Sequence, residues 1–238
     1  MLDRVSRAIS KGPCPKCRES GNDRKGDNLV TYSDGHKYCY ACTYSFFSDG
    51  QSNWVASPME FFEMTGVSGP IKDRRISESI VSKFGVTLEK DSKGVVTKHH
   101  YPYFDKTTGA AVGSKVRTVV NKSFHATGSL DNTGLFGQHI WREGGKFVTI
   151  TEGEIDAMAV AEMFDGKWPV VSIKTGSAGA LKDVKASLEW LETFEHVVIC
   201  FDMDEAGKQA VDNILPLFSH NKVKVVSLPL KDAGEMLK

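Results

Sequence analysis

The chain has no long hydrophobic run. Its apolar stretches, such as residues 197–201, are far shorter than the roughly 20 residues that a membrane-spanning helix requires. Residues 1–12 alternate charged and apolar side chains, without the continuous apolar segment of a secretory signal. These absences predict no membrane association and a place in the cytoplasm, where reducing conditions disfavour disulfides among the five cysteines.

The chain also has no net charge, because 30 lysines and arginines balance 30 aspartates and glutamates. The charges are unevenly spread: residues 70–125 carry 11 basic and 5 acidic side chains, and residues 126–238 carry 11 and 17. A basic segment followed by an acidic one is typical of a protein that binds a polyanion on one lobe and divalent cations on the other. Ordinary surface variation is the alternative interpretation.

A third absence concerns nucleotide hydrolysis. The chain contains no G-x-x-x-x-G-K-[S/T] phosphate-binding loop, which argues against an NTP-driven motor. One glycine-containing segment, Gly176-Ser-Ala-Gly179, either approaches a phosphate or forms a simple turn.

The five cysteines are few but well placed. Two C-x-x-C pairs, Cys14 with Cys17 and Cys39 with Cys42, are separated by 21 residues, a spacing typical of a structural tetrahedral zinc site. Four thiolates fill the coordination sphere of zinc, so the predicted ion stabilises the fold and leaves no open position for a substrate. Cys200 lies inside an apolar run and is predicted to be a buried core residue.

The segment between the cysteine pairs has two interpretations. Asp34-Gly-His36 predicts a tight turn, and four tyrosines surround it: Tyr32, Tyr38, Tyr40 and Tyr44. The rings could stack on unpaired bases while His36 donates and accepts at a base edge. Alternatively, Tyr38 and Tyr40, which flank Cys39, provide apolar cover for a very small domain, and His36 is solvated.

Composition divides the chain into four parts. Residues 1–47 are predicted to form a small β module held by zinc, and residues 48–57 a polar, glycine-containing linker. Residues 58–140 form a basic subdomain of mixed α+β structure, and residues 141–238 form a region built on a parallel sheet. The predicted fold class is therefore α/β with a small β module at the N-terminus.

Local patterns predict two short helices and an antiparallel sheet in the basic subdomain. A capping box with proline at the first helical position starts a helix over residues 57–64, and a four-residue apolar spacing predicts a second over residues 77–84. Alternating polar and apolar side chains predict strands over residues 96–104, over 110–120 and through Phe124.

The last region alternates strands with helices. Four short apolar runs are predicted as strands, at residues 147–151, 169–173, 197–201 and 223–228. Helical patterns separate them, which indicates a parallel sheet covered on both faces.

Acidic residues follow two of these strands. Glu152, Glu154 and Asp156 follow the first strand, and Asp202 and Asp204 follow the third. Because ligands of open parallel sheets bind beyond the carboxyl ends of the strands, we expect the two clusters to meet in one crevice. Gly153 is expected to allow a tight turn there.

The clusters predict a metal site made of oxygen ligands. An Asp-x-Asp at a strand end points both carboxylates the same way, and together with Glu152 it suits magnesium or manganese. Asp232, after the fourth strand, is a further candidate ligand. Such sites serve phosphoryl transfer, where the metal lowers the pKa of an attacking hydroxyl and neutralises phosphate charge. For any single acid, the alternative is a solvated residue near a helix N-terminus.

With these residues in view, the chain resembles the primase half of the bifunctional primase-helicases of T7-like bacteriophages. The resemblance covers nearly the whole sequence. The matching motifs are the two cysteine pairs with Asp34-Gly-His36, Arg75-Ile-Ser77, Ser114-Lys-Val-Arg117, Leu135-Phe-Gly-Gln-His139, Thr151-Glu-Gly-Glu-Ile-Asp156, Phe201-Asp-Met-Asp-Glu-Ala-Gly207 and Lys231-Asp-Ala. A glutamate followed by Asp-x-Asp is the signature of TOPRIM domains, whose Rossmann-like sheet primases share with topoisomerases and some nucleases.

The resemblance implies a role for each motif. It implies that the zinc ribbon reads a template trinucleotide through Asp34 and His36. It implies catalytic roles for Glu152, Glu154, Lys115 and Lys122, with Glu154 helping to activate the attacking hydroxyl. The implied nucleotide-binding residues are Lys115, Arg117 and Lys122. The implied magnesium ligands are Glu152, Asp156, Asp202, Asp204 and Asp232.

The implied activity is synthesis of short RNA primers from ribonucleoside triphosphates on single-stranded DNA, with a replicative helicase and a DNA polymerase as partners. The chain ends at Lys238 without a helicase domain, so we expect a trimmed primase-helicase or a stand-alone primase, monomeric by default. The linker is shorter than in the best-known members, which leaves open whether the ribbon serves its own catalytic domain or a neighbour's. A TOPRIM nuclease and a non-catalytic zinc and TOPRIM recombination mediator are the alternatives.

Overall fold

A computed structural model of the chain describes residues 8–33, 35, 37–39, 42, 44–46, 62 and 64–238. The chain divides into two compact units, Met1–Glu60 and Phe61–Lys238. The linker predicted at residues 48–57 and most of the helix predicted over 57–64 lie outside the described residues. Within the described ranges, no helix is long and apolar enough to cross a membrane.

The N-terminal unit contains a four-stranded antiparallel sheet in the order β1-β2-β3-β4. Its strands are β1 (Ala8–Gly12), β2 (Leu29–Tyr32), β3 (Lys37–Cys39) and β4 (Ser45–Phe46). The sequence predicts only hairpins between the cysteines, but a short helix, α1 (Pro15–Glu19), carries Cys17. Pro15 fixes φ at the first helical position and starts a helix too short to show apolar periodicity.

The second unit contains a second antiparallel sheet, in the order β5-β6-β7-β8. Its strands are β5 (Thr87–Lys90), β6 (Val96–Phe104), β7 (Ala111–Thr118) and β8 (Phe124–Gly128). This structure confirms the predicted antiparallel sheet and adds β5, whose four residues are too few for a clear alternation. The helix predicted over residues 77–84 is also confirmed as α2 (Glu78–Lys83), with the Ser77 hydroxyl accepting from Ile80 N.

The parallel sheet predicted for the last region is confirmed, with the order β10-β9-β11-β12 and parallel pairing throughout. Its strands are β9 (Gly145–Thr151), β10 (Val170–Ser172), β11 (Phe194–Cys200) and β12 (Val223–Val225). The intervening helices are α3 (Glu154–Met163), α4 (Ala180–Ala186), α5 (Leu188–Glu192), α6 (Glu205–Ile214) and α7 (Ala233–Leu237). One core packs α3 and α7 on one face, and another packs α4, α5 and α6 on the opposite face.

An aromatic core joins the antiparallel sheet to the parallel sheet. Phe136 contacts Phe84 and Tyr101 at ring-centroid distances of 5.3 and 5.7 Å, and Met158 of α3 belongs to the same buried cluster. All four side chains are almost completely buried, and each such burial contributes about 1.5–3 kcal/mol. This core fixes the basic sheet against α3, the helix that follows the first acidic cluster.

Candidate active site

Two acidic segments leave the same edge of the parallel sheet side by side. β9 ends at Thr151 and β11 at Cys200, and these two residues are register partners in the parallel pair. Glu152 and Asp202 therefore follow neighbouring strand ends, as the sequence predicts. Cys200 itself is buried, which confirms its predicted place in the core.

Glu152 has one oxygen held and one oxygen available. Its Oε1 accepts a hydrogen bond from Ser177 N at 3.2 Å. Its Oε2 is buried, and it has no hydrogen-bond partner within the part of the chain that the structure describes. A buried carboxylate oxygen without a donor is costly unless a cation or solvent meets it. Glu152 therefore fits the role of a metal ligand.

The pKa values of two further acids show that the cluster is short of positive charge. Burial raises the pKa of Asp156 to about 7, and the charge of Asp232 adds to the shift. Burial, followed by the charge of Glu152, raises the pKa of Asp202 to about 6. Crowded carboxylates favour binding of a divalent cation, and a set of oxygen ligands suits magnesium or manganese.

Asp204 and Asp232 each have a structural task as well. Asp204 Oδ1 accepts from Gly207 N at 3.0 Å and caps α6, and Asp232 Oδ1 accepts from Glu235 N at 2.7 Å and caps α7. Acidic caps are stabilised by the exposed N–H groups at a helix start. These two aspartates thus serve as helix caps, and their charges also act on Asp202 at the edge of the sheet where the acids gather, here called the acidic edge.

Lys231 lies close to two of the acids, and no role was predicted for it. Its Nζ is 3.7 Å from Asp202 Oδ2 and 3.9 Å from Asp204 Oδ2, and Asp202 is the main cause of its raised pKa. The side chain is 56% exposed, so it can move into solvent when a cation binds at the edge.

The chain bends at Glu152 and Gly153, between β9 and α3, but the bend does not require the conformational freedom of a glycine. Gly153 has a φ of −119°, which is open to any residue. An added Cβ would instead lie 2.7 Å from Asp156 Oδ2. Gly153 therefore makes room for the Asp156 carboxylate, which Gly234 N holds from the other side at 2.9 Å.

Glu154 is buried, at 3% exposure, and has two partners. Its Oε1 accepts from Tyr103 OH at 2.8 Å and pairs with Lys115 Nζ at 2.9 Å. Lys115 also donates to the carbonyl oxygen of Lys174 at 2.9 Å and lies over the Phe124 ring. The structure thus brings Glu154 and Lys115 together in a buried ion pair that connects α3 to the basic sheet. Tyr103 contacts the same carboxylate, although it belongs to none of the sequence motifs.

The other two predicted nucleotide-binding residues differ in position. Arg117 follows Lys115 by two residues on the same face of β7, is buried and faces Tyr101. Its Nε has no hydrogen-bond partner among the described residues. Lys122 is exposed in the turn between β7 and β8, with a φ of 54°.

The four cysteines of the N-terminal unit converge on one point. Their sulfur atoms all lie within 4.8 Å of one another, the one such group of metal-ligating side chains among the described residues. The Sγ atoms of Cys14 and Cys42 are 3.5 Å apart, and those of Cys17 and Cys39 are 3.6 Å apart. Zinc–sulfur bonds of about 2.3 Å place tetrahedral ligands about 3.8 Å apart, so the cluster has the size of a structural zinc site.

The local surroundings support the cysteine site. Burial raises the pKa of Cys17 to about 12, so these thiols need a cation in order to ionise. The turn at Cys14 is fixed by buried Asp23, whose Oδ2 accepts from Cys14 N at 2.6 Å. Asp34 and His36 lie outside the described residues, and their part in template reading stays a prediction.

The chain is similar to proteins of known family. A Toprim-like family model matches residues 149–237. A DNA helicase/primase of Enterobacteria phage T3 is 35% identical over 239 residues, which cover 94% of this chain and 40% of that protein. The chain thus spans less than half the length of this relative.

Solved structures extend the likeness. The primase fragment of the bacteriophage T7 primase-helicase has a TM-score of 0.66 and 34% identity, covering 96% of this chain and 94% of that one. Primase domains solved with the T7 lagging-strand DNA polymerase and an RNA/DNA hybrid have a TM-score of 0.64 and 39% identity, covering 71% of this chain and 83% of that one. A DnaG catalytic domain bound to single-stranded DNA shares the fold alone, at 17% identity and a TM-score of 0.51, over 70% of this chain and 67% of that one. The chain therefore belongs to the primase family that forms the primase half of T7-like phage primase-helicases.

Proposed function

We propose that this chain is a DNA primase that joins ribonucleoside triphosphates into short RNA primers on single-stranded DNA. The observation that carries the proposal is that Glu152 and Asp202 follow neighbouring strand ends, and that burial, together with the charges of both, raises the pKa of Asp156. In the reaction, the 3′-hydroxyl oxygen of one nucleotide attacks the α-phosphorus of the next. The bond between the α-phosphorus and the oxygen that bridges to the β-phosphate breaks, pyrophosphate leaves with that oxygen, and the hydroxyl proton passes to solvent water.

The proposed magnesium or manganese ligands are Glu152, Asp156, Asp202, Asp204 and Asp232. A metal ion bound there would lower the pKa of the attacking 3′-hydroxyl and neutralise charge on the phosphates. Lys115, Arg117 and Lys122 are proposed to bind the nucleotide. Glu154 is the proposed participant in catalysis, and its buried contact with Lys115 favours a role in which it orients that lysine.

The N-terminal unit is proposed to bind one structural zinc through Cys14, Cys17, Cys39 and Cys42, and to read the template through Asp34 and His36. The proposed domains are the ribbon at residues 1–47, the linker at 48–57, the basic subdomain at 58–140 and the TOPRIM subdomain at 141–238. A replicative helicase and a DNA polymerase are the proposed partners, since the T3 relative is a helicase/primase and T7 primase domains have been solved with a polymerase.

Incubation of the full chain with magnesium, single-stranded DNA and labelled ribonucleotides tests this function. Wild type is expected to make short RNA, and Glu152→Gln should lose at least about 100-fold in rate, because even outer-shell groups of metal sites cost 10–100-fold. Asp212→Asn, an exposed change on α6, is the matched control and should keep full activity. Cut DNA would identify a nuclease, and neither product would favour a non-catalytic mediator.

A further inference from the structure

Asp183 is a buried acid that no motif singles out. It lies in α4, is 3% exposed, and gathers three donors on one oxygen. Its Oδ2 accepts from Lys174 N at 2.8 Å, from Thr175 N at 2.9 Å and from the Thr175 hydroxyl at 2.8 Å. Hydrogen bonds to a buried carboxylate are strong, so this single oxygen fixes the chain just beyond β10.

The segment fixed by Asp183 touches both halves of the candidate active site. We call residues 174–177 the 174–177 loop. At its start, the carbonyl oxygen of Lys174 accepts from Lys115 Nζ at 2.9 Å. At its end, Ser177 N donates to Glu152 Oε1 at 3.2 Å. The loop therefore links the lysine of the basic sheet to the glutamate at the end of β9.

Gly179 supports the same arrangement from the opposite side. A Cβ added at this glycine would overlap the Thr175 hydroxyl and lie 2.6 Å from Thr175 Cβ. Thr175 thus fits between Asp183 and the bare backbone of Gly179. A methyl group at residue 179 would push the hydroxyl away from Asp183 without touching any of the acids at the sheet edge.

We propose that Asp183 is a positioning residue that aims Glu152 through the 174–177 loop. Glu152 Oε2 lacks a partner among the described residues, and Ser177 N is the donor that holds the other oxygen. Without a fixed Ser177, the carboxylate could rotate and lose its orientation toward the metal. Groups that orient metal ligands typically change metal affinity or activity by 10–100-fold when they are removed. This inference rests on the proposed function.

The test measures metal binding and catalysis separately, using the full chain with its zinc retained. Titration with Mn²⁺, followed by electron paramagnetic resonance of the free ion, gives the affinity of the acidic site directly. Asp183→Asn is expected to weaken Mn²⁺ binding by roughly 10-fold, compared with no change for Asp212→Asn. In primer synthesis, the rate of Asp183→Asn should fall at low magnesium and recover at high magnesium. The KM for the ribonucleotide should not change.

Two further variants keep the proposal testable if Asp183→Asn fails to fold. Gly179→Ala and Thr175→Val disturb the same contact without removing the carboxylate, and both should weaken Mn²⁺ binding. The double variant of Asp183→Asn with Gly179→Ala should bind Mn²⁺ no more weakly than the weaker-binding of the two single variants, because both changes break the same contact between Asp183 and Thr175.

The proposal is overturned if the Mn²⁺ isotherms of the folded variants coincide with that of Asp212→Asn, or if lost activity does not return at high magnesium. Primer synthesis by the wild-type chain tests the proposed function separately. A wild-type chain that binds Mn²⁺ but makes no primer would refute primase activity, while the comparison of affinities would still decide the role of Asp183.

Discussion

Replacing Asp156 by asparagine should stabilise the protein in the absence of magnesium. The folded carboxyl has a pKa of about 7, compared with an ordinary value of 3.8, because burial and the charge of Asp232 disfavour its ionised form. Asparagine has no charge to desolvate, and its side-chain oxygen can still accept from Gly234 N, as Asp156 Oδ1 does at 2.9 Å. The variant therefore removes the repulsion and retains the hydrogen bond.

The sign and size of the change in the free energy of unfolding follow from proton binding. Between about pH 4 and pH 7 the folded state of the wild type holds a proton that the unfolded state releases, so the free energy of unfolding falls as the pH rises. Each pH unit in this window costs 1.36 kcal/mol. From about pH 5 to pH 8, the advantage of Asp156→Asn over the wild type should thus grow by about 2–3 kcal/mol and then level off.

Urea unfolding followed by tryptophan fluorescence measures this difference, because Trp141, Trp168 and Trp190 all lie in the second unit. The buffer should be free of magnesium but contain no strong chelator, since that would also remove zinc from the ribbon. Burial lowers the pKa of His99 and His139 to about 4, which makes stability fall as the pH drops. This opposing effect is common to both proteins and cancels in the comparison.

The control is Asp212→Asn, whose stability should follow that of the wild type at each pH. Parallel stability curves for Asp156→Asn and the wild type would show that Asp156 ionises normally, and would refute the electrostatic account of the acidic edge. Added magnesium should stabilise the wild type more than the variant, because binding to the folded state adds to its stability.

Two further predictions concern other parts of the molecule. Glu154→Gln should lower the free energy of urea unfolding by about 2–4 kcal/mol, because it leaves Lys115 half-buried without its counter-charge. Tyr103→Phe, which loses one hydrogen bond, should cost only about 1 kcal/mol, and equal losses for the two variants would contradict the buried ion pair. Cys39→Ser should reduce template-dependent initiation more than extension of a supplied primer, since the zinc site is no longer closed by four thiolates. Equal loss of both activities would argue against the ribbon as template reader.

The features that the sequence predicts well are those with a short-range pattern. Apolar runs alternating with helical spacing identify the parallel sheet, and the acids directly after β9 and β11 must meet because parallel strands end at one edge. The cysteine spacing likewise predicts a cluster that the structure confirms. In each case, the parts that come together are each marked by a local pattern, either a C-x-x-C pair or an acid directly after an apolar run.

The features that the sequence did not reveal depend on residues distant in the chain or on burial. Tyr103 and Glu154 are 51 positions apart, and only the packing of β6 against α3 brings them together. Asp183 lies on a short helix among lysines, where an acid looks like a surface residue until its burial is known. A nearer signal did exist for Asp204 and Asp232, since an aspartate directly before a helical segment is a common N-cap.

The acidic edge and the aromatic core have opposite effects on stability. The carboxylates at the sheet edge repel one another in the metal-free protein, as the raised pKa values of Asp156 and Asp202 indicate. The acids nevertheless keep their positions, because the buried cluster around Phe136 holds the basic sheet against α3. Functional sites commonly trade stability for activity in this way. The substitution expected to stabilise the chain most at high pH, Asp156→Asn, should therefore also weaken the metal site.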